Sequence, residues 1–193
     1  MTSEGGLPVV VLTGAPGTGK STIGRLLAGR LQAALLDQDV ATMPLVDVVR
    51  RLVDTDDLDD PRLASLTRAA RYEVLAALAV DNLSAGVPVV LVAPYTIERA
   101  EPQPWTELRS RLVAAGGVPL LVWLFLEPAE IVRRLRARGA VRDQAKLLDQ
   151  STYLAKLSSL STSPSVPHLP VAADLPPHVL MERVMAALGV SRS

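Results

Sequence analysis

The chain has 193 residues, of which 49% are hydrophobic, and this length and apolar content predict a single domain, residues 1–193, with a sizeable core. Its 20 Lys and Arg residues balance its 20 Asp and Glu residues, so no overall field attracts nucleic acid or an anionic membrane. The absence of cysteine excludes disulfides, thiolate metal sites and a cysteine nucleophile, and an aromatic content of 3% leaves few base-stacking platforms.

The first residues lack the basic segment and following apolar stretch of a secretory signal. The apolar runs elsewhere are too short or too interrupted to span a bilayer. We therefore expect a cytoplasmic protein with neither a membrane nor a nucleic acid as its partner.

Short apolar runs alternate with helical segments along the chain, which is typical of βαβ units and a parallel sheet. Strands are predicted near Val9 to Thr13, Ala33 to Leu36, Val87 to Ala93, Pro119 to Leu126 and Leu169 to Ala173. Helices are predicted near Lys20 to Leu31, Leu45 to Val53, Pro61 to Ala85, Thr106 to Ala115, Pro128 to Arg138, Gln144 to Leu157 and Pro176 to Leu188. The predicted fold class is therefore α/β, with a parallel sheet flanked by helices.

The first predicted strand leads into a glycine-rich loop. Its sequence, Gly14-Ala15-Pro16-Gly17-Thr18-Gly19-Lys20-Ser21, fits the phosphate-binding pattern G-x-x-x-x-G-K-[S/T], and a helical segment follows as the motif requires. Glycines let backbone N–H groups approach clustered phosphate charge. Lys20 would reach the β- and γ-phosphates, and the Ser21 hydroxyl would ligate Mg²⁺. The loop, with Thr22 beside it, predicts nucleotide binding rather than an ordinary turn.

Two carboxylates follow the second predicted strand, in the sequence Leu36-Asp37-Gln38-Asp39. Ligands of open α/β sheets bind at the carboxyl ends of the strands, and side chains two apart on extended backbone point the same way. Asp39 is predicted to orient and deprotonate an acceptor hydroxyl, and Asp37 to join the Mg²⁺ shell through water. The alternative is that the pair only ends the strand and caps the next helix.

A dense arginine cluster follows the fourth predicted strand. Arg134 and Arg138 are four apart and share a helix face, while Gly139 can end that helix and leave Arg142 on the connection that follows. Arg138 and Arg142 are predicted to clamp the transferring phosphate when the site closes, within a short lid at approximately 138–146. The alternative is a solvated, arginine-rich helix.

Two further arginines are candidates for acceptor binding. Arg71 lies in the long helix before the third predicted strand, and Arg99 follows that strand. The acceptor-binding region is predicted at approximately 40–72, although Arg71 could instead pair with a helix carboxylate. The acidic run that ends at Asp60 is predicted to start the helix at Pro61, since acidic residues complement a helix N-terminus.

These motifs resemble the small P-loop kinases related to adenylate, shikimate and gluconate kinases and to chloramphenicol phosphotransferase, which include AAA-type ATP-binding proteins. Gly14 to Ser21 matches their nucleotide loop, and Leu36-Asp37-Gln38-Asp39 resembles their L-D-x-D element. Arg134 and Arg138 resemble the pair that packs on adenine and contacts phosphate. The resemblance implies a three-layer fold with a five-stranded parallel sheet, a lid, and ATP rather than GTP.

The combined motifs predict an ATP- and Mg²⁺-dependent phosphotransferase acting on a hydroxyl of a small-molecule acceptor. The third predicted strand ends Leu91-Val92-Ala93-Pro94, without the acid usual at that position in P-loop proteins. One alternative is therefore a nucleotide-binding regulatory protein with weak ATPase activity. Another is an enzyme like zeta toxins or polynucleotide kinases, which zero net charge and few aromatic residues disfavour.

Overall fold

The computed structural model describes residues 5–58, 60–139 and 162–190. The strands in these ranges are β1 (Leu7–Gly14), β2 (Ala34–Asp37), β3 (Val89–Val92), β4 (Gly117–Phe125) and β5 (Leu169–Ala172). The helices are α1 (Lys20–Leu31), α2 (Gln38–Leu52), α3 (Pro61–Ser84), α4 (Pro102–Ala114), α5 (Pro128–Arg138) and α6 (Pro177–Ala187).

The five strands form one parallel sheet in the order β2-β3-β1-β4-β5. The central strand is β1, in which Leu12 lies level with Val92 of β3 and Val122 of β4. All the carboxyl ends of the strands therefore meet at one edge of the sheet. The prediction of an α/β fold with a five-stranded parallel sheet is confirmed.

Helices cover both faces of the sheet, which explains why the strands are continuous apolar runs. On one face, α1, α5 and α6 pack through side chains that include Leu27, Leu135 and Leu180. On the other, α3 and α4 pack through side chains that include Leu75 and Leu112. The sheet is thus the middle of three layers.

The predicted start of the second helix at Leu45 is wrong, because α2 begins at Gln38 directly after β2. Asp37 caps this helix: its Oδ1 accepts a hydrogen bond from the Asp39 backbone N–H at 3.1 Å. The helix continues through Pro44, a residue that usually interrupts helices. Asp39 consequently lies in a first helical turn, not on extended backbone beside Asp37.

The acidic run before α3 ends at Asp60, which caps the N-terminus of that helix, as predicted. The Asp60 carboxylate accepts the backbone N–H of Arg62 at 2.8 Å and pairs with its guanidinium at 2.8 Å. These contacts hold the pKa of Asp60 well below its usual value. In the described ranges, no group of three or more acidic or histidine side chains forms a metal cluster.

Part of the predicted arginine region lies outside the described residues. This applies to Arg142, to most of the lid at 138–146 and to the helix predicted from Gln144 to Leu157. Arg138 ends α5, but its side chain is also outside the description. None of the helices described combines the length and apolarity needed to cross a membrane.

Candidate active site

The glycine loop connects the end of β1 to the start of α1 at the carboxyl edge of the sheet. Gly17 and Gly19 have φ angles of 89° and 93°, which glycine adopts without steric cost. No heavy atom lies within 4 Å of the position that a Cβ on Gly19 would occupy, so the loop is open there. A Cβ on Gly14 would instead lie 2.5 Å from the carbonyl oxygen of Leu124. The loop is therefore tightly packed against β4 at Gly14 and open at Gly19, where the positive end of the α1 dipole lies.

Lys20 folds back onto this loop. Its Nζ donates hydrogen bonds to the carbonyl oxygens of Gly14 at 2.8 Å and Ala15 at 3.0 Å. Thr18 is buried, and its hydroxyl donates to the same Ala15 carbonyl at 2.9 Å. The ammonium is thus held at the loop, while Ser21 is partly exposed and Thr22 exposed on the first turn of α1.

Asp37 and Ser21 offer oxygen ligands of the kind that Mg²⁺ prefers. The strand register places Asp37 level with Val92 of β3 and, one strand further, with Leu12 of β1. Asp37 and Leu12 are therefore two strand spacings, or about 10 Å, apart across the sheet. Mg²⁺ keeps several waters and commonly binds one or two protein oxygens together with substrate phosphates. The Ser21 hydroxyl and the Asp37 carboxylate, the latter through water, are thus the kinds of ligand that suit the ion.

Asp39 and Arg71 are brought together by the packing of α2 on α3. An Asp39 carboxylate oxygen accepts from Arg71 Nη2 at 2.8 Å, and the two side chains are 52% and 23% exposed. Arg71 Nε donates to Thr42 Oγ1 at 2.9 Å, and the Thr42 hydroxyl donates to the Gln38 carbonyl at 2.6 Å. Arg71 thus pairs with a helix carboxylate, the alternative considered from sequence, and the pair stands at the carboxyl end of β2.

The same helix, α3, is also fastened to the loop after β3. The Arg68 guanidinium donates to Thr96 Oγ1 and lies 5.9 Å from the centre of the Tyr72 ring. The loop is tied to the central strand, because Thr13 Oγ1 donates to the Pro94 carbonyl at 2.6 Å. Sequence analysis missed Arg68 and Thr96, although the spacing of Arg68 three residues before Arg71 places both on one helix face.

Arg99 is the most deeply buried of the predicted acceptor residues, at 5% exposed. Its backbone N–H donates to the Tyr95 carbonyl at 2.9 Å, and its own carbonyl accepts from the Ser165 N–H at 2.9 Å. Burial lowers the pKa of its guanidinium. Its role in acceptor binding stays a prediction.

A cavity of about 480 Å³ opens at the carboxyl ends of β4 and β5, on the side of β1 opposite to β3 and β2. Arg134 lies in its wall, where Nε donates to Glu130 at 3.0 Å and Nη2 donates to the Ala173 carbonyl at 3.1 Å. The guanidiniums of Arg133 and Arg134 lower the pKa of Glu130 to about 2. The lining residues are Phe125, Leu126, Glu127, Glu130, Arg133, Arg134, Ala172 and Asp174.

Comparison with known proteins assigns the family. Residues 9–162 match the family model described as an AAA domain. Shikimate kinase from Corynebacterium diphtheriae is 31% identical over 153 residues, which cover 79% of this chain and 75% of that relative. The chain belongs to the AAA-domain family of small P-loop kinases.

Solved structures of other small-molecule kinases share the fold of this kinase. A gluconokinase from Sinorhizobium meliloti has a TM-score of 0.58 at 17% identity, covering 95% of this chain and 91% of that chain. The APS kinase of Mycobacterium tuberculosis, solved with AMPPNP and APS, has a TM-score of 0.59 at 19% identity, with coverage of 96% and 99%. At these identities the likeness concerns the fold alone, whereas the family model and the bacterial relative establish a nucleotide-binding small-molecule kinase.

Proposed function

We propose that this kinase transfers the γ-phosphate of ATP to a hydroxyl group of a small molecule, with Mg²⁺ as its cofactor. The observation that carries the proposal is the presence of two complementary groups at one edge of the sheet. A complete phosphate loop with Lys20 follows β1, and a partly exposed carboxylate, Asp39, held by Arg71, follows β2. One group suits the phosphate donor and the other suits the acceptor.

The nucleotide would lie across the loop and toward the cavity beyond β4. Lys20 would exchange its carbonyl partners for β- and γ-phosphate oxygens. The cavity has a volume within the range of ligand sites, and Arg134 would offer a flat guanidinium to the base. Arg138 and Arg142 remain the proposed contacts to the γ-phosphate. The APS kinase that shares this fold was solved with an ATP analogue, which supports ATP as the donor.

Ser21 and Asp37 would hold Mg²⁺, the former directly and the latter through water. When bound, the ion would neutralise charge on the β- and γ-phosphate oxygens. Asp37 retains one carboxylate oxygen for this purpose, since its Oδ1 accepts the Asp39 N–H.

In the proposed transfer, Asp39 accepts the proton of the acceptor hydroxyl while the hydroxyl oxygen bonds to the γ-phosphorus. The bond from that phosphorus to the β–γ bridging oxygen breaks, and its electron pair leaves with ADP. Arg71 holds the Asp39 carboxylate in place, and residues 40–72, together with Arg99, would surround the acceptor.

The experiment compares ADP release by wild type, Lys20→Ala, Asp39→Asn and Asp47→Asn with shikimate, D-gluconate and APS as acceptors. Asp47 is the matched control, because it is another α2 aspartate paired with an arginine, Arg50, at 3.3 Å. We expect Lys20→Ala to abolish turnover, and Asp39→Asn to lower kcat by about 10²-fold or more with ATP affinity retained. Acceptor turnover by Asp39→Asn within twofold of Asp47→Asn would show that Asp39 is not the base.

A regulatory nucleotide-binding protein with weak ATPase activity is the second candidate. It is favoured by one observation: Ala93 follows β3 where P-loop proteins usually carry an acid. Slow ADP release that no acceptor stimulates would support this candidate over the kinase.

A further inference from the structure

The outer face of α2 is apolar, although it is exposed to solvent. Six large apolar side chains in the described ranges are more than half exposed, and four of the six belong to this helix: Val40, Leu45, Val48 and Leu52. Pro44 is also exposed on the same helix. A single exposed leucine needs no explanation, but a contiguous apolar patch on a protein surface usually marks a contact with a partner.

Four of these exposed residues form one row along the helix. They follow one another at intervals of four, in the order Val40, Pro44, Val48 and Leu52. Residues four apart are neighbours on a helix surface. Thr42, in the middle of the buried row, is two positions away from Pro44, or about 200° around the helix. Since Thr42 accepts a hydrogen bond from Arg71 of α3, the apolar row points away from α3.

The charged side chains of α2 do not interrupt this row. Each aspartate of the helix is paired with an arginine, Asp39 with Arg71 and Asp47 with Arg50. Arg51 is exposed, and its aliphatic stem can lie along apolar surface while its guanidinium stays in water. The whole chain has no net charge at pH 7, so electrostatic repulsion does not hold two copies apart. The face therefore suits contact with another copy of the same chain.

A twofold contact requires a surface that is complementary to itself. A row of residues spaced by four meets this requirement, because such rows interdigitate when both helices present the same class of ridge, at a crossing angle of about −50°. We propose that the row from Val40 to Leu52 forms a twofold contact with the same row of a second copy. Pro44 and Val48, in the middle of the row, would lie nearest the axis. This inference does not rest on the proposed kinase function.

The size of the face indicates a weak dimer. The row and Leu45 offer the exposed parts of five side chains in each copy, which is well short of the roughly 800 Å² per partner of a standard interface. A dissociation constant on the order of 10–100 μM is therefore expected. Asp39 is turned toward Arg71 of α3 and away from the row, so the contact leaves the proposed acceptor side open.

Sedimentation velocity from about 2 to 400 μM, a range that brackets this constant, would measure the association. Wild type is compared with Val48→Gln, Leu52→Gln and Val118→Thr. Val118 is the matched control, because it is also apolar and more than half exposed but lies at the amino end of β4, at the edge of the sheet opposite to the start of α2. Circular dichroism and Tm at the lowest concentration monitor the folding of each variant.

We expect wild type to change from monomer to dimer as its concentration rises. A twofold axis places every residue of the row in the contact twice, so each glutamine variant should raise the dimer Kd by about 10- to 100-fold. Val118→Thr should leave Kd within about twofold of wild type. Because the replaced side chains are exposed in the monomer, Tm at low concentration should change by no more than about 2 °C.

The absence of cysteine from the chain allows a test of position. A single introduced cysteine can form a disulfide only with the same residue of a second copy, and the two Cα atoms must approach within about 7 Å. Under mild oxidation, Val48→Cys should form a linked dimer at least about tenfold faster than Val118→Cys, since Val48 lies near the proposed axis.

A monomer at every concentration would overturn the inference, and binding of that monomer to vesicles of neutral phosphatidylcholine would identify the row as a membrane contact instead. A dimer that both glutamine variants leave unchanged would also overturn it, as would a disulfide that forms equally fast in Val48→Cys and Val118→Cys. Each of these results leaves the proposed kinase function intact, because none of them measures phosphate transfer.

Discussion

Replacing Thr42 by valine would measure how much its hydrogen bond to Arg71 contributes to stability. Its buried hydroxyl makes two bonds, accepting from Arg71 Nε at 2.9 Å and donating to the carbonyl four residues earlier at 2.6 Å. Thr67, on α3, is also buried and makes only the second kind of bond, to the Leu63 carbonyl at 2.8 Å. Thr42→Val and Thr67→Val therefore differ by the hydrogen bond to a guanidinium.

Hydrogen bonds to charged groups contribute about 1.5–3 kcal/mol, and the 23% exposure of Arg71 favours the lower part of that range. The bond from a helical threonine to its own helix contributes little. Thr42→Val should thus lose about 1.5–2 kcal/mol more than Thr67→Val, which for a chain of this size is about 3–8 °C in Tm. Thermal and urea denaturation of the ligand-free proteins would measure the difference. Equal losses in the two variants would refute the reasoning, because Arg71 would then gain nothing from Thr42.

Two further predictions concern the packing of α1 and the ionisation of Glu98. Gly24→Ala should lower Tm, because its Cβ would lie 2.7 Å from Val92 Cγ2. Gly29→Ala on the same helix has open space and should raise the free energy of unfolding by up to about 1 kcal/mol. A gain in stability at both sites would contradict the packing argument. Glu98→Gln should be more stable than wild type at neutral pH, because burial raises the folded-state pKa of this acid above 4.5 and so penalises its ionised form. The difference should shrink as pH falls through that raised pKa and disappear below 4.5; a difference independent of pH would show that ionisation is not its cause.

The sheet and the phosphate loop could be predicted from local sequence alone. The strands are continuous apolar runs because both faces are covered, and the loop has a fixed spacing between a strand and a helix. The start of α2 was harder to place, because Asp37 acts both as the last residue of β2 and as the cap of the helix. Pro44, a residue that normally signals a boundary, lies inside that helix.

The contacts that organise the acceptor side could not be predicted in the same way. Arg71 reaches Asp39 across 32 positions, and Arg68 reaches Thr96 across 28. Such contacts depend on how α3 packs against α2 and against the loop after β3, which no local pattern specifies. Sequence reasoning identified Asp39 and Arg71 as separate candidates and considered that Arg71 could pair with a helix carboxylate, without identifying Asp39 as that partner. The exposed apolar row of α2 depends in addition on the early start of that helix.

The strand order has a consequence for redesigning this kinase. Because β1 is central, β3 and β2 carry the proposed acceptor groups on one side, while β4 and β5 carry the cavity proposed for the nucleotide base on the other. The phosphate loop on β1 is the point at which the two halves meet. Under the proposed assignment, exchanging the exposed residues of α2 and α3 while keeping their core side chains, such as Leu75, is expected to alter acceptor choice and to leave the phosphate loop and the cavity unchanged.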